Sequence, residues 1–537
     1  MRSSIRLSAL VALMAVLAMA LSVQRVSIAQ EAGGDTGSDK AAEKLPARTA
    51  DGAIIGENAL SEITIAEGTQ WETKAYIRDS KKPGPAVMIV GGVHGRETAG
   101  HRAAWQIQSW PITRGKVLVL PHANVTGIAS YSRYMSGLPK GTRDLNRHYP
   151  SDPKAEPTSE LAKSIWKETV NFSPDWLIDL HESQDFAHKT TDKQKYLGNS
   201  VIIYPGNETE RVAKLMLESA NETITDAKHT WVLKKWPIEG SLARAAAARL
   251  GAKAMITESS RTDRQPRRER HQRELVHRLL SELEMISDDL SVDTLFAPNS
   301  KHDDQLRVAI YNDTGANGAA SIEASLDELS DTVYQRICGP ALRNGVLDQF
   351  DVLVLPGGSG SATANSMGED GRAIAKSFIE EGGGFMGFCA GAYMAVTHYS
   401  WSLGVLDAEV LDTKHWARGT GEVELSLTAT GRTFFGTREK VVECFYNNGP
   451  ILAPGGNDDV PDYEVLASFK TEVTKKGVPG GVMPGTPAIV RGDFGKGRVW
   501  VSSPHPEASA NKDLREFVRT GAQWCGRVGE DEQEDDQ

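Results

Sequence analysis

The stretch Val90-Gly91-Gly92-Val93-His94-Gly95-Arg96-Glu97 decides the interpretation of the first half of this chain. It follows an apolar run, residues 86–90, that predicts a buried strand, and it precedes residues 99–110, whose pattern predicts a helix. The glycines let the backbone turn sharply, so that His94 and Glu97 can face one point at the carboxyl end of the strand. A histidine and a glutamate three residues apart form half of a metal site and need partners from elsewhere in the chain.

Length and composition indicate a globular protein of two domains. A chain of 537 residues is too long for one hydrophobic core. Hydrophobic residues make up 40% of it and charged residues 24%, as in ordinary globular proteins. The net charge of −11, without a basic stripe interleaved with aromatic residues, argues against a nucleic-acid-binding protein. The four cysteines, Cys338, Cys389, Cys444 and Cys525, are too few for a disulfide scaffold, although the sequence leaves one bridged pair open.

The amino terminus predicts a secretory signal peptide. Arg2 and Arg6 supply positive charge, residues 7–21 are apolar, and Ser27-Ile28-Ala29 offers a small-x-small cleavage site. A membrane anchor is the alternative, but the apolar run is marginal for a span. We therefore expect residues 1–29 to be removed and the protein to be exported, to the periplasm or the medium, without stable membrane insertion.

The rest of the chain divides by composition into a linker, two α/β regions and a tail. Residues 30–49 lack apolar periodicity and are predicted to be a linker. Residues 50–290 alternate strand-like and helix-like patterns, which predicts an α/β domain with a mostly parallel sheet and helices on both faces. A polar stretch near residue 300 precedes a second α/β domain at residues 304–527. Residues 528–537 form an acidic, solvated tail.

Short apolar runs mark the expected strands, and longer periodic runs mark the helices. In the first domain the predicted strands are residues 86–93, 116–121, 176–180, 201–204 and 253–257. The predicted helices there include residues 99–110, 159–170, 241–250 and 268–286. In the second domain the predicted strands are residues 306–311, 351–355, 384–388 and 498–502.

Two strand ends supply partners for His94 and Glu97. Residues 175–182 predict a strand that ends in a histidine, His181, which can complete a set of two histidines and one glutamate. Three protein ligands and a water are the open arrangement of catalytic rather than structural zinc. A second strand ends in Glu258, a carboxylate that this set does not need as a ligand. A free glutamate of this kind is the general base that metal-assisted hydrolysis requires.

A third segment supplies donors for a substrate. Residues 143–147 (RDLNR) place Arg143 and Arg147 on either side of Asn146. Arginine presents paired N–H groups that match the two oxygens of a carboxylate. The segment therefore predicts a binding site for a substrate carboxylate.

These motifs in this order (HxxE, DLNR, a strand-final DLH and a strand-final TE) resemble the zinc carboxypeptidase superfamily, and the opening stretch is most similar to its succinylglutamate desuccinylase/aspartoacylase branch. The resemblance covers roughly residues 60–285. It implies that His94, Glu97 and His181 bind Zn²⁺, that Asn146 and Arg147 hold the substrate carboxylate, and that Glu258 is the base.

Several roles near this predicted site stay open. Either Arg143 or Arg133 can stabilise a tetrahedral oxyanion, and their spacing does not choose between them. Asp179 can orient His181 or make an unrelated hydrogen bond on the sheet face. The neighbouring His101, His122 and His148 are expected on a helix face or in loops rather than among the ligands.

In the second half, Cys389 occupies a predicted strand–turn–helix elbow. Residues 387–393 (GFCAGAY) follow an apolar strand and open a helical run, with small residues where a tight turn leaves no room. We expect the helix start to favour the thiolate of Cys389. His505 follows a later strand as a possible base, and Glu507 can orient it. Residues 355–360 (LPGGSG) can offer backbone N–H groups to an oxyanion.

This set resembles the class I glutamine amidotransferase-like fold, a flavodoxin-like α/β fold, and is most similar to the domain named after the amino-terminal part of biotin-protein ligase. The resemblance covers roughly residues 305–527. Two alternatives remain for Cys389: a thiol nucleophile with its own hydrolytic activity, or a buried small residue at a tight turn.

Together these patterns predict an exported zinc-dependent amide hydrolase, of the metallocarboxypeptidase or N-acyl amino acid deacylase type, with an accessory amidotransferase-like domain. Its substrate is expected to be a peptide or an N-acyl amino acid with a free carboxylate. The alternative from another class is an exported binding protein whose two hydrolase domains are degenerate.

Overall fold

The computed structural model describes residues 59–296 and 305–527. The predicted signal peptide, linker and acidic tail lie outside these ranges, as does the predicted domain boundary near residue 300. Within the described ranges, no helix is both long and apolar enough to cross a bilayer.

The first domain is built on one mixed sheet of eight strands. These strands are β1 (Ala59–Ile65), β2 (Thr73–Asp79), β3 (Ala86–Gly91), β4 (Lys116–Leu120), β5 (Trp176–Ser183), β6 (Ser200–Ile203), β7 (Val232–Lys235) and β8 (Lys253–Ser260). Their order in the sheet is β1-β2-β4-β3-β5-β8-β6-β7. The four central strands β4, β3, β5 and β8 are parallel, so their carboxyl ends meet at one edge.

Helices cover both faces of this sheet. They are α1 (Thr98–Ile107), α2 (Val125–Ala129), α3 (Glu160–Phe172), α4 (Asn207–Asn221), α5 (Leu242–Leu250) and α6 (Gln265–Glu282). Alternate residues of β3 enter two separate cores, because side chains along a strand point to opposite faces. Val87 and Ile89 pack with α1, α4 and α6, whereas Met88 and Val90 pack with α3 and α5.

The second domain is built on a nine-stranded sheet with a parallel half and an antiparallel half. Its strands are β9 (Leu306–Tyr311), β10 (Thr332–Ile337), β11 (Val352–Leu355), β12 (Gly384–Phe388), β14 (Thr420–Leu427), β15 (Val441–Asn447), β17 (Glu464–Phe469), β18 (Pro487–Phe494) and β19 (Gly497–Ser502). The order is β10-β9-β11-β12-β19-β18-β17-β14-β15. The parallel strands β10 to β19 follow the flavodoxin-like order 2-1-3-4-5.

A two-stranded sheet, β13 (Ala408–Leu411) with β16 (Ile451–Pro454), and six helices complete the second domain. The helices are α7 (Ala319–Leu326), α8 (Gly339–Arg343), α9 (Gly360–Glu380), α10 (Ala390–Ala395), α11 (Ala429–Phe434) and α12 (Arg515–Cys525). Helices α8 to α10 pack on one face of the parallel half, and α7 and α12 pack on the other.

The α/β fold class predicted for both domains is confirmed, and four of the seven strand pairings in the first sheet are parallel. Strands β1 and β2 were not predicted, and they add antiparallel pairings at one edge of the sheet. Strand β6 also runs antiparallel to β8. Antiparallel edge strands tolerate one solvated face, so they lack the continuous apolar runs that reveal the central strands.

Candidate active sites

His94 and Glu97 lie at the carboxyl end of β3, before α1. Gly92 has a left-handed backbone, with φ of +73°, which starts the turn away from the strand. A side chain at Gly95 would collide with the backbone of Gly127, because its Cβ would lie 1.9 Å from that residue's carbonyl carbon. The two glycines therefore let the turn pack tightly and bring Nδ1 of His94 within 2.8 Å of Oε1 of Glu97.

His181 projects from β5, the strand beside β3, into the same point. Its Nδ1 lies 2.9 Å from Oε2 of Glu97 and 3.1 Å from Nδ1 of His94. The ligand atoms of His94, Glu97 and His181 all lie within 4.8 Å of one another, and all three residues are buried. The structure thus brings together the three residues that the sequence analysis named as metal ligands.

A carboxylate lies beside the outer nitrogen of each histidine. Nε2 of His94 is 3.0 Å from Oδ1 of Asp144, and Nε2 of His181 is 3.0 Å from Oδ2 of the fully buried Asp179. Metal-binding histidines are usually oriented in this way, since the outer partner fixes the ring and increases its basicity. Of the two roles left open for Asp179, the geometry favours orienting His181.

Electrostatics hold the cluster in a charged form. Burial works to raise the pKa of Glu97, but His94 and His181 outweigh it and keep the pKa well below its usual value. Burial works in the opposite sense on His181, and Asp179 and Glu97 outweigh it, so the pKa of His181 is raised well above its usual value.

The donor set fits zinc. Two imidazole nitrogens and one carboxylate oxygen are a known ligand set for catalytic zinc, which keeps a further position open for water or substrate. Three buried groups whose ligand atoms face each other, two of them backed by carboxylates, match what such an ion needs. His94, Glu97 and His181 are therefore the residues that would hold it.

Glu258 stands beside this cluster on the next strand. Strand β8 pairs in parallel with β5, and Glu258 is the register partner of His181. Desolvation raises the pKa of Glu258 to about 7, an effect that His181 opposes and Glu97 reinforces. A carboxyl group with a pKa near neutrality can both accept and release a proton at physiological pH.

Of the two arginines considered for an oxyanion, only Arg133 contacts the cluster. Its Nη1 donates to Oε1 of Glu97 at 3.1 Å and its Nη2 to Oδ2 of Asp144 at 3.3 Å. The guanidinium of Arg143 instead lies over the ring of Tyr134, 5.4 Å from the ring centre. The geometry therefore favours Arg133 as the arginine beside the cluster, a choice that the sequence spacing left open.

Asn146 and Arg147 belong to a short 3-10 turn that begins at Asp144. The Asp144 carboxylate accepts the N–H of Asn146 at 3.1 Å, so the residue that supports His94 also starts this turn. Asn146 is buried, and its Oδ1 has no hydrogen-bond partner among the described residues. Arg147 is exposed at the rim, where its Nη1 donates to the Asn146 carbonyl at 2.7 Å.

The three other histidines do not join the metal cluster. His101 lies on α1 with its ring centre 5.5 Å from that of His122, which stacks on Trp105. Burial lowers the pKa of His122 to about 4 and that of His101 well below its usual value. His148 is held by Thr158 and a backbone carbonyl. These placements agree with the expectation that they are not ligands.

The sequence analysis missed the role of Asp144, and it did not single out Tyr131. Asp144 lies in the quoted RDLNR segment, but only the folded chain shows that it contacts His94. Tyr131 has a strained backbone, with φ of +47°, and its hydroxyl accepts a hydrogen bond from Arg261 at 3.2 Å. Strain of this kind in a non-glycine residue is frequent at functional sites.

Cys389 sits at a strained turn between β12 and α10. Its φ is +49° and ψ is −97°, a conformation that L-residues rarely adopt. A Cβ at Gly391 would lie 1.9 Å from the carbonyl oxygen of Leu355, so a residue with a side chain there would collide with β11. These observations fit the predicted elbow.

His505 and Glu507 complete this second group. Nδ1 of His505 lies 2.7 Å from Oε1 of Glu507, and the Cys389 thiol donates to the carbonyl oxygen of Asn447 at 3.2 Å. Burial works to lower the pKa of His505, but Glu507 and Cys389 outweigh it and raise the pKa well above its usual value. Nε2 of His505 and Oε2 of Glu507 have no hydrogen-bond partner among the described residues, so the face of the imidazole opposite Glu507 is available to a ligand or to the thiol.

Gly357, in the loop after β11, lies against both members of the pair. A Cβ there would be 2.7 Å from Cε1 of His505 and 3.6 Å from Cβ of Cys389. All four cysteines fall in the described part of the chain, and each is an unbridged, buried thiol. Cys389 is therefore free to act as a thiol.

Two segments of the chain match known families. Residues 83–190 match the succinylglutamate desuccinylase/aspartoacylase catalytic domain, and residues 306–417 match the amino-terminal domain of biotin-protein ligase. No curated protein matches the chain. The first family match supports an amide hydrolase.

Solved structures similar to this chain come from several bacteria. They include apo cell shape determinant protein Csd4 from Helicobacter pylori (16% identity, 47% of this chain, 66% of that chain, TM-score 0.35). Others are a succinylglutamate desuccinylase/aspartoacylase from Rhodobacter sphaeroides (20%, 40%, 60%, 0.30) and a putative metallopeptidase from Shewanella amazonensis (15%, 42%, 87%, 0.34). The chain spans just under two thirds of the length of the Csd4 structure.

The first of the two matched segments contains His94, Glu97 and His181, and the second contains Cys389. The chain therefore contains one segment similar to the succinylglutamate desuccinylase/aspartoacylase catalytic domain and one segment similar to the amino-terminal domain of biotin-protein ligase.

Proposed function

We propose that this protein is a zinc-dependent amide hydrolase that cleaves next to a free carboxylate, in a peptide or an N-acyl amino acid. The observation that carries the proposal is the convergence of His94, Glu97 and His181 on one point, with Glu258 beside them and outside the ligand set. A zinc ion held there would polarise the scissile carbonyl and lower the pKa of an attacking water. A protein that only binds a ligand has no use for the free carboxylate.

Glu258 acts as the general base and then as the general acid. With a pKa of about 7, its carboxylate takes a proton from the attacking water and returns it to the leaving amine. Arg133 supplies positive charge beside the cluster, where an oxyanion forms as the carbonyl is attacked. The exposed guanidinium of Arg147 provides a donor for the substrate carboxylate, and the buried Asn146 lies beside it in the same turn.

The test compares Glu258→Gln with the wild type on N-acyl amino acids, short peptides and peptidoglycan fragments. The substitution keeps the shape of the side chain and removes the base, so we expect full zinc content and a decrease in kcat of about 10²- to 10⁴-fold. Wild-type turnover that the substitution leaves unchanged would exclude this role, and wild type without any turnover would favour a binding protein. The substrates cleaved distinguish a carboxypeptidase from a deacylase.

A second candidate activity is thiol-dependent hydrolysis at Cys389, and the strained φ of this residue beside His505 and Glu507 favours it. The Cys389 sulfur would attack an acyl carbonyl and form a thioester as the C–N bond breaks, while His505 gives a proton to the leaving amine. Water would then cleave the thioester and restore the thiol.

Alkylation by iodoacetamide tests this candidate. In His505→Gln we expect Cys389 to react about tenfold more slowly at pH 7, because the thiolate loses its cationic partner. Cys444 and Cys525 serve as internal controls, since burial raises the pKa of both thiols and they react only if the chain opens. An equal rate in both proteins would show that Cys389 is not activated by His505.

Export remains part of the proposal, and the charged, apolar and small-residue pattern of residues 1–29 supports it. The test is the amino-terminal sequence of the protein recovered from its native host. A terminus near residue 30 in the periplasm or medium is expected, and an intact Met1 in the cytoplasm would contradict it.

A further inference from the structure

Helix α6 lies between the two domains and is buried although its first half is polar. Residues 268–273 are six consecutive charged or polar residues, and each is at most 5% exposed. Burying such groups costs free energy unless they are paired. The partners of these polar groups therefore identify the contacts that fix α6 and the residues that α6 positions.

Toward the first domain, α6 contacts the backbone and side chains next to the metal ligands. Nε2 of Gln272 donates to the carbonyl oxygen of His181 at 2.8 Å. Arg268 forms an ion pair with Glu182, and the N–H of Glu182 donates to Oε2 of Glu97 at 3.2 Å. Two side chains of α6 thus fix the end of β5 from which His181 projects.

Toward the second domain, α6 is fixed by a buried carboxylate in the loop after β9. Nε of Arg267 donates to Oδ1 of Asp313 at 2.6 Å, and Asp313 is fully buried. Oδ2 of Asp313 accepts the N–H of Gly339 at 2.8 Å, so its own domain holds the carboxylate in place. Arg336 of the second domain adds a hydrogen bond to Oε1 of Gln265 at 3.1 Å.

We propose that Asp313, in the second domain, is a positioning residue for the metal-ligand set of the first domain and acts through Arg267 and α6. Arg267 and Arg268 are consecutive, and one is paired with each domain. A change in the contact between Arg267 and Asp313 would therefore move the adjacent Arg268, which is paired with Glu182. This inference rests on the proposed metal-dependent function, and it gives the second domain a structural role in the first site.

The experiment measures zinc affinity in the full-length chain by competition with a chelator. Asp313→Asn keeps the size of the side chain but weakens its pairing with Arg267. We expect zinc to bind about tenfold more weakly or worse, as for other groups that support ligands indirectly. At saturating zinc we expect kcat within about threefold of wild type, because Asp313 touches none of the reacting groups.

Asp412→Asn is the matched control. It also removes a carboxylate from an arginine, Arg418, but the ion-pair partners of Asp412, Arg418 and His415, belong to the second domain and not to α6. It should bind zinc as the wild type does. Equal weakening in both variants would indicate general destabilisation and overturn the proposal, as would unchanged affinity in Asp313→Asn.

Arg267→Lys keeps the inference testable if Asp313→Asn fails to fold. It retains the positive charge but loses the Nε contact, so we expect a smaller loss of zinc affinity, and wild-type affinity would overturn the positioning role. A wild-type protein that binds no zinc would overturn the proposed function and this inference with it. A wild type that binds zinc beside unaffected variants would overturn this inference alone.

Discussion

The two candidate sites both lie at the carboxyl ends of parallel strands, but they are held in different ways. In the first domain, His94 and Glu97 are held by Asp144 and Arg133 from another segment, and His181 is held by Asp179 on its own strand. In the second domain, backbone conformation does most of the positioning. Cys389 is strained, Gly357 leaves room for the imidazole, and Glu507 lies two residues from His505.

This difference in how the side chains are positioned indicates what each site needs for catalysis. Three mutually facing ligand atoms make a site whose chemistry must come from a bound ion. A thiol, an imidazole and a carboxylate are a complete set of amino-acid groups for nucleophilic catalysis. The first site should therefore respond to changes in distant side chains, and the second to changes in local backbone and packing.

The largest expected effect comes from a substitution that abolishes the activity of the first site and leaves the reactivity of the second unchanged. His181→Ala removes a ligand, so we expect stoichiometric zinc binding and amide hydrolysis to be lost, while alkylation of Cys389 proceeds as in wild type. Zinc content by elemental analysis and turnover on the substrate panel check this.

Cys389→Ala is the reciprocal control and should leave zinc content and hydrolysis unchanged. Stoichiometric zinc in His181→Ala would disprove the ligand assignment. Loss of hydrolysis in both variants would show that the two sites form one catalytic unit.

Asp179→Asn tests whether the carboxylates beside the outer nitrogens of the histidine ligands increase the zinc affinity of the first site. The amide cannot carry the negative charge that lies 3.0 Å from Nε2 of His181. We expect zinc affinity to fall by about 10- to 100-fold.

Asp175→Asn is the comparison, since Asp175 accepts the N–H of Ala86 at the opposite end of β3 from the metal ligands. Its zinc affinity should match wild type. An Asp179→Asn protein with wild-type affinity would leave the hydrogen bond on the sheet face as the better account of this residue.

Gly357→Ala tests the dependence of the second site on close packing. The new methyl group would lie 2.7 Å from Cε1 of His505, so the imidazole must move away from Cys389. We expect alkylation of Cys389 to slow by about tenfold, with a loss of about 1–3 kcal/mol in the free energy of unfolding.

Gly436→Ala is the control for destabilisation without a contact at the second site, because Gly436 has a positive φ of +64° that disfavours alanine, yet its Cβ would meet no atom within 4 Å. An alkylation rate in Gly357→Ala equal to that in Gly436→Ala would indicate that His505 does not activate the thiol.

The smallest expected effect is a pH dependence of stability set by His505. Its pKa is raised above the ordinary value of 6.5 in the folded chain, chiefly by Glu507 against the opposing effect of burial. The resulting stabilisation is complete below pH 6.5 and is lost as the pH rises through the folded pKa. The free energy of unfolding, measured by urea denaturation across this range, should therefore differ most between wild type and Glu507→Gln at pH 6.

At pH 9 the difference in the free energy of unfolding between wild type and Glu507→Gln should be smaller than at pH 6. A difference that widens toward alkaline pH would contradict the raised pKa of His505.

The sequence predicted the central elements of both sheets because they are continuous apolar runs. Residues 86–93 and 176–180 were placed on strands that the structure gives as β3 and β5, and residues 384–388 correspond to β12. The antiparallel half of the second sheet was not predicted. Strand β14 shows why, because it carries Glu422 and Glu424 and only alternate residues of it are buried, so it has no apolar run.

Amino-acid types and spacing were also sufficient to name His94, Glu97, His181 and Glu258, because each follows or ends a strand whose carboxyl end is predictable. They could not assign Asp144 or Arg133, because these side chains reach the site only when separate segments pack together. Asp179, two residues before His181 on β5, was already a candidate from the sequence. Arg143 has the same chemistry as Arg133, yet it faces Tyr134.

By itself, the sequence determined the fold class of each half and the residue types at the ends of the central strands, since both depend on local runs and motifs. Only the tertiary structure decided that Asp144 lies behind His94 and that Arg133 rather than Arg143 faces the cluster. It also decided that α6, a helix of the first domain, contacts both His181 of its own domain and Asp313 of the second domain. These features depend on distances between residues that are far apart in the chain, and those distances are fixed by packing of the whole sheet and its helices.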